Sequence, residues 1–194
     1  SAGVANDSAG NGNAAAPQFS ITYDGTAPSV TINQATGQED PTNGGVINFT
    51  VVFDEEVSGF ATGDVTLGGT AGATTGVVTA TDATTYNVAV GGMTNDGSVT
   101  VSLPAGVATD AAGTLSLASS STDATVAYDA SPPGVTIDQA VGQADPASSG
   151  QINFMVVFSE PTAGFATGDV LLGGTAGATT GTVTAVDATT YNVA

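Results

Sequence analysis

The chain has 194 residues, of which 41% are hydrophobic and only 9% are charged. It contains 18 acidic side chains and no lysine, arginine, histidine or cysteine, so its formal net charge is −18. This composition excludes nucleic-acid binding and attraction to anionic membranes, because both depend on lysine and arginine. It also excludes disulfides, thiol or imidazole catalysis, and metal sites of the zinc type. No apolar run is long enough for membrane insertion. With 41% hydrophobic residues the chain can form a core, and we expect that it is not an enzyme.

Short segments in which apolar and polar residues alternate recur about every ten residues. Such alternation predicts β-strands, because successive side chains of a strand point to opposite faces. Seven segments are expected between residues 25 and 129, and their apolar positions in chain order are Val30 and Ile32; Ile47, Phe49, Val51 and Phe53; Val65 and Leu67; Val78 and Ala80; Tyr86, Val88 and Val90; Val99, Val101 and Leu103; and Ala124, Val126 and Tyr128. Helical spacing is not sustained anywhere. The pattern predicts an all-β chain of immunoglobulin-like β-sandwiches without the disulfide and tryptophan of antibody domains.

Much of the sequence repeats at an offset of 105 residues. The repeated blocks are GFATGDV at 59–65 and 164–170, LGGTAGATTG at 67–76 and 172–181, and DATTYNVA at 82–89 and 187–194. Such self-similarity indicates a tandem array of one structural unit.

The first residues belong to the same pattern. GVANDSAG at 3–10 matches GVATDAAG at 106–113, and FSITYD at 19–24 aligns with ATVAYD at 124–129. We therefore predict three parts: residues 1–24 are the C-terminal end of a preceding repeat, 25–129 form a complete repeat, and 130–194 form a following repeat truncated after its fifth strand.

The chain resembles a known family in INFTVVFDEEVSGF (47–60), GDVTLGGTAGATTG (63–76), TYNVAVGGM (85–93) and LPAGVATDAAG (103–113). These segments are similar to bacterial Ig-like repeats of large secreted adhesins and biofilm-associated surface proteins, and the resemblance covers essentially the whole chain. It implies tandem sandwiches placed end to end as an extracellular stalk at the bacterial cell surface, often stiffened by calcium. It also implies that host-surface or matrix ligands, whether glycan or protein, bind through other modules.

Because no side chain is cationic, clustered carboxylates must be relieved by hydrogen bonds, by protonation or by a bound cation. In an immunoglobulin-like sandwich, the incoming linker meets the connections between strands two and three and between strands six and seven. We expect a Ca²⁺ site at that end, because Ca²⁺ prefers carboxylate and carbonyl oxygens. The candidate ligands, selected because they recur between repeats, are Asp24, Glu55, Asp64 and Asp110, followed by Asp129, Glu160 and Asp169.

Other interpretations of the acidic residues remain open at this point. Any of these aspartates could instead start a turn, a common role of aspartate, and Asp82 is a more distant candidate ligand. Asp40 could complete a site from a neighbouring domain or start a turn. Asp54 is replaced by Ser159 in the next repeat and is not expected to be a ligand. In an acidic habitat, protonation would relieve the repulsion without any metal.

The sequence thus favours a structural or interaction protein whose partners are neighbouring repeats of the same or identical chains. A second hypothesis is a subunit of a self-assembling extracellular fibre completed by strand exchange, because the truncated repeat would leave sheet edges open. A third is a non-catalytic carbohydrate-binding module, although only 6% of residues are aromatic and none is tryptophan.

Overall fold

A computed structural model describes residues 1–148 and 150–194. Over these residues the chain forms antiparallel sheets and contains no helix, which confirms the all-β class. The described residues accordingly include no helix that is long and apolar enough to cross a membrane. The chain divides into two compact units, Ser1–Ala130 and Ser131–Ala194.

The first unit contains the seven strands that alternation predicted. They are β1 (Val30–Gln34), β2 (Val46–Phe53), β3 (Thr66–Gly68), β4 (Thr75–Ala80), β5 (Thr85–Gly91), β6 (Gly97–Ser102) and β7 (Thr125–Tyr128). One sheet has the order β1-β2-β5-β4 and the other the order β3-β6-β7, and all neighbouring strands are antiparallel. Residues from both sheets share one apolar core, an arrangement consistent with a β-sandwich.

The core depends on the alternation within β2. Ile47, Phe49, Val51 and Phe53 are at most 2% exposed, whereas Val52, on the opposite face, is 42% exposed. From the other sheet, the buried side chains Val99, Val101 and Val126 belong to the same cluster.

Three aromatic rings pack against one another in this core. Phe53, Phe60 and Tyr86 meet edge to face with ring centroids 5.0–5.9 Å apart. This geometry stabilises aromatic pairs beyond the area that they bury. Tyr86 is therefore a core residue, as expected for its position within an alternating strand.

The second unit repeats part of this structure. Its strands are β8 (Val135–Gln139), β9 (Phe154–Phe158), β10 (Val183–Ala185) and β11 (Thr190–Val193), in the order β10-β11-β9-β8. The pairing of β8 with β9 has the same register as that of β1 with β2, shifted by 105 residues. The described part of the second unit contains no counterpart of β3, β6 or β7. Val135, Ile137 and Phe154 are 59%, 57% and 39% exposed, whereas their counterparts in the first unit are at most 2% exposed.

We predict that Phe49→Ala will cost about 3–5 kcal/mol of stability, the usual loss for a large core side chain. Phe154→Ala, the same change at the repeat-equivalent position, should cost much less because Phe154 is already partly in water. Hydrogen exchange followed by mass spectrometry resolves the two units and measures each loss separately. Equal losses at the two positions would contradict the difference in packing.

Candidate metal centre

Three carboxylates from three separate segments come together at one end of the first unit. Asp24 precedes β1, Glu55 lies in the connection that follows β2, and Asp110 lies in the connection between β6 and β7. One carboxylate oxygen from each residue lies within 4.8 Å of the others. The structure therefore brings together three of the seven residues that the sequence nominated as metal ligands.

Local hydrogen bonds hold the incoming segment against the connection after β2. The backbone N–H of Ser29 donates to Oδ1 of Asp54 over 2.8 Å, and the Ser29 hydroxyl donates to Oδ2 over 2.7 Å. The backbone N–H of Leu117 donates to the carbonyl of Pro28 over 2.9 Å. These bonds fix the chain just after Asp24 against the two connections that contain Glu55 and Asp110.

A short antiparallel bridge joins those two connections to each other. The N–H of Ser58 donates to the carbonyl of Thr109 over 2.8 Å, and the N–H of Thr109 donates back to Ser58 over 2.9 Å. Asp110 directly follows this bridge, and Glu55 lies three residues before it. These backbone bonds thus bring the connections that contain Glu55 and Asp110 together without the help of an ion.

Asp110 is the most deeply placed acid of the three, at 6% exposed. Its Oδ1 accepts the backbone N–H of Thr114 over 2.7 Å, and this bond lowers the pKa of the Asp110 carboxyl. Among the described residues, its Oδ2 is buried and has no hydrogen-bond partner. A buried polar atom without a partner is costly, and more so when it carries charge. A bound cation would supply the missing interaction.

The environment of Glu55 shifts the pKa of its carboxyl in the opposite direction from that of Asp110. Desolvation, followed by the negative charges of Asp24, Asp110 and Asp54, raises the pKa of the Glu55 carboxyl. Its surroundings therefore resist another negative charge at this point. A divalent cation would reverse that effect, because an opposite charge nearby favours the ionised carboxylate.

The donor set fits a hard cation. Ca²⁺ takes six to eight oxygen ligands, including carboxylates, backbone carbonyls and water. Asp24, Glu55 and Asp110 would hold it, and further oxygens would come from backbone carbonyls or solvent. Bound there, the ion would offset most of the local negative charge and link the incoming segment to both connections.

Asp64 lies outside this group and has a structural role. Its Oδ2 accepts the backbone N–H of Ala61 over 2.8 Å and closes a turn. Asp169 does the same with Ala166, also over 2.8 Å. At these two positions the structure supports the alternative that the sequence left open, a turn-forming aspartate.

The remaining candidates lie in different units. Asp129 belongs to the first unit, where its backbone N–H donates to the carbonyl of Thr42 over 2.9 Å. Glu160 belongs to the second unit and is half-buried, as is its counterpart Glu55.

Several other aspartates also bind backbone N–H groups. Oδ1 of Asp82 accepts the backbone N–H groups of Thr84 and Thr85, and the bond from Thr84 is the main cause of the lowered pKa of Asp82. Oδ1 of Asp40 accepts the N–H of Ala127 in β7 over 2.9 Å. Asp82 and Asp40 thus help to hold a turn and a strand in place.

The sequence comparison between repeats missed the contribution of Asp54. In the next repeat Ser159 occupies its position and accepts the N–H of Gly134 over 2.8 Å. Ser159 therefore keeps a hydrogen bond to the residue that precedes β8, although the negative charge of Asp54 is lost. Replacement by another short oxygen acceptor was the signal available in the sequence.

Comparison of the chain with models of protein families, with curated proteins and with solved structures gave no match. The chemistry of the carboxylate cluster is therefore the main guide to function.

We predict that Glu55→Gln will raise the melting temperature of the metal-free protein at neutral pH. Because the folded-state pKa of Glu55 is raised, metal-free stability should fall as pH rises from the ordinary glutamate pKa through the raised value. Glutamine mimics the protonated acid and removes that loss, so the two melting temperatures should converge at acidic pH. Thermal melting in chelator across this pH range measures the difference. A lower melting temperature for Glu55→Gln at neutral pH would contradict this account of the repulsion.

Proposed function

We propose that this chain is a structural protein, a tandem Ig-like stalk segment of an extracellular bacterial adhesin or surface filament. Calcium bound by Asp24, Glu55 and Asp110 fixes the incoming segment to the sandwich. One observation carries the proposal: Asp110, whose Oδ2 is buried and has no partner among the described residues, has a carboxylate oxygen within 4.8 Å of those of two further acids, in a chain without lysine, arginine or histidine.

The strand order supports the Ig-like assignment. With the strands of the first unit lettered A to G in chain order, its sheets are A-B-E-D and C-F-G. This is the arrangement of constant-type immunoglobulin domains. The repeated register in the second unit supports a tandem organisation.

The position of the cluster supports a mechanical role for the ion. Asp24 lies in the segment that leads into the sandwich, whereas Glu55 and Asp110 lie in connections within it. A cation held by all three would couple the orientation of that segment to the folded unit. Without the ion, the three negative charges repel one another and favour separation of the segment from the connections.

We predict that calcium added to chelated protein will raise the melting temperature of the first unit. At a free concentration 100 times the Kd, a single site adds about 2.7 kcal/mol, which corresponds to roughly 10 °C for a unit of this size. Asp110→Asn and Glu55→Gln should each remove most of the rise. Differential scanning calorimetry and isothermal titration calorimetry measure the shift and the stoichiometry.

The matched control is Glu39→Gln, which makes the same chemical change at an exposed position outside the cluster. It should retain the full response to calcium. An equal calcium response in Glu55→Gln and Glu39→Gln would show that the effect comes from the overall charge, and the proposed site would be rejected.

A further inference from the structure

Asp54 directly precedes Glu55 in the sequence, yet both of its carboxylate oxygens are used by another residue. They accept the backbone N–H and the hydroxyl of Ser29 over 2.8 and 2.7 Å. In return, the backbone N–H of Asp54 donates to the carbonyl of Ser29 over 3.1 Å. Three hydrogen bonds thus join the residue before β1 to the residue after β2.

This pair continues the ladder between β1 and β2. The last pair of strand residues at that end is Val30 with Phe53, and both side chains are 2% exposed. Ser29 and Asp54 themselves are exposed. The pair therefore attaches the end of the incoming segment to two strands that are anchored in the core.

The incoming segment has few other ties to the sandwich. Asp24 closes a short turn within the segment, because its Oδ1 accepts the backbone N–H of Thr26 over 3.0 Å. The carbonyl of Pro28, the last residue before Ser29, accepts the N–H of Leu117. The position of Asp24 relative to the sandwich thus depends on the contacts of Pro28 and Ser29.

The negative charge of Asp54 acts at the carboxylate cluster. It is one of the charges that raise the pKa of the Glu55 carboxyl, together with those of Asp24 and Asp110. The pKa of Asp54 itself is lowered, chiefly by the hydroxyl of Ser29. Asp54 therefore contributes charge to the cluster while its oxygens are directed to Ser29.

We propose that Asp54 is a positioning residue of the calcium site, which holds the incoming segment through Ser29 and does not bind the ion itself. This inference rests on the proposed function, because it concerns the affinity of the site formed by Asp24, Glu55 and Asp110. A segment that is already held in place loses less conformational freedom when the ion binds, and the affinity is higher for that reason. The charge of Asp54 adds a second contribution by attracting the cation.

The second unit contains a version of this pair that separates the two contributions. Gly134 and Ser159 occupy the positions of Ser29 and Asp54. The N–H of Gly134 donates to the hydroxyl oxygen of Ser159, and the N–H of Ser159 donates to the carbonyl of Gly134, both over 2.8 Å. Serine at this position thus keeps a hydrogen-bond acceptor for the incoming segment and has no charge.

Three substitutions in the full chain measure the contributions separately. Asp54→Ala removes the charge and the acceptor, whereas Asp54→Ser removes the charge and keeps a short oxygen acceptor. Ser29→Ala removes one hydrogen bond and leaves every negative charge in place. Isothermal titration calorimetry with calcium follows chelation, at a temperature well below the metal-free melting temperature of each variant, so that only folded proteins are compared.

We expect Asp54→Ala to weaken calcium binding about ten-fold, the lower end of the usual loss when a residue that orients a metal ligand is removed. Asp54→Ser should restore part of this loss. The difference in affinity between the wild type and Asp54→Ser should shrink as the salt concentration rises, because salt screens attraction between exposed charges. The difference between Asp54→Ser and Asp54→Ala should persist, since both variants lack the same charge.

The matched control for charge is Glu56→Gln, on the other side of Glu55. Glu56 is exposed, and its side chain forms no hydrogen bond with the described residues. Glu56→Gln should therefore weaken calcium binding less than Asp54→Ala does, and high salt should remove its effect. Equal losses in Glu56→Gln and Asp54→Ala at high salt would contradict a positioning role.

Ser29→Ala distinguishes positioning from direct binding of the ion by Asp54. If Asp54 positions the segment, Ser29→Ala weakens calcium binding several-fold although the charge of the site is unchanged. If Asp54 were a ligand, Ser29→Ala would release one of its oxygens, and calcium would bind equally well or more tightly. That second result overturns the inference, as does equal calcium affinity of Asp54→Ala and Asp54→Ser.

The wild type and Glu55→Gln separate this inference from the proposed function. A wild-type chain that binds no calcium rejects the site and, with it, the role of Asp54. Calcium binding that Glu55→Gln removes, but that Asp54→Ala and Ser29→Ala leave unchanged, retains the site and rejects the positioning role alone.

Discussion

The structure depends on the placement of negative charge in a chain that has no cationic side chain with which to balance it. Buried or clustered carboxylates are usually relieved by lysine or arginine, and here that solution is excluded. Backbone N–H groups take over for most of the acids. Backbone N–H groups of Thr84 and Thr189 are the main cause of the lowered pKa values of Asp82 and Asp187. For Asp7 and Asp54 the side chains of Asn11 and Ser29 lower the pKa most, and backbone N–H groups add to the effect. Each of these carboxylates is therefore stabilised only when the chain around it is folded, because the hydrogen bond requires one particular local conformation.

The cluster of Asp24, Glu55 and Asp110 is where backbone donors are not enough. Asp110 uses one oxygen for the N–H of Thr114, and its other oxygen is buried without a partner among the described residues. Its own pKa is lowered, while that of its neighbour Glu55 is raised. The shifts are opposite because the N–H of Thr114 stabilises the ionised form of Asp110, whereas desolvation and the neighbouring negative charges disfavour the ionised form of Glu55. Protonation or a bound cation would relieve this unfavourable environment, and our proposal assigns that role to calcium.

Alternation made the strands predictable from sequence, since a period of two in β2 leaves only one face that can be buried. Recurrence between repeats nominated the acids of the cluster, but it did not separate ligands from turn formers. Asp64 and Asp24 both recur, and each accepts a nearby backbone N–H, from Ala61 and Thr26 respectively, but only Asp24 lies in the cluster with Glu55 and Asp110. The comparison of repeats also missed Asp54, because Ser159 replaces it in the next repeat while accepting the equivalent backbone hydrogen bond. Which loop side chains converge depends on bonds such as the Ser58–Thr109 pair, fifty-one residues apart in sequence, and local patterns do not encode such contacts.

The two units show how far one sequence pattern determines burial. In the first unit, β1 is covered by the segment that ends in β7, and Val30 and Ile32 are at most 2% exposed. Their equivalents in β8, Val135 and Ile137, follow the same alternation, yet they are more than half exposed. Alternation therefore decides which face of a strand is apolar, whereas the burial of that face depends on strands that are distant in sequence.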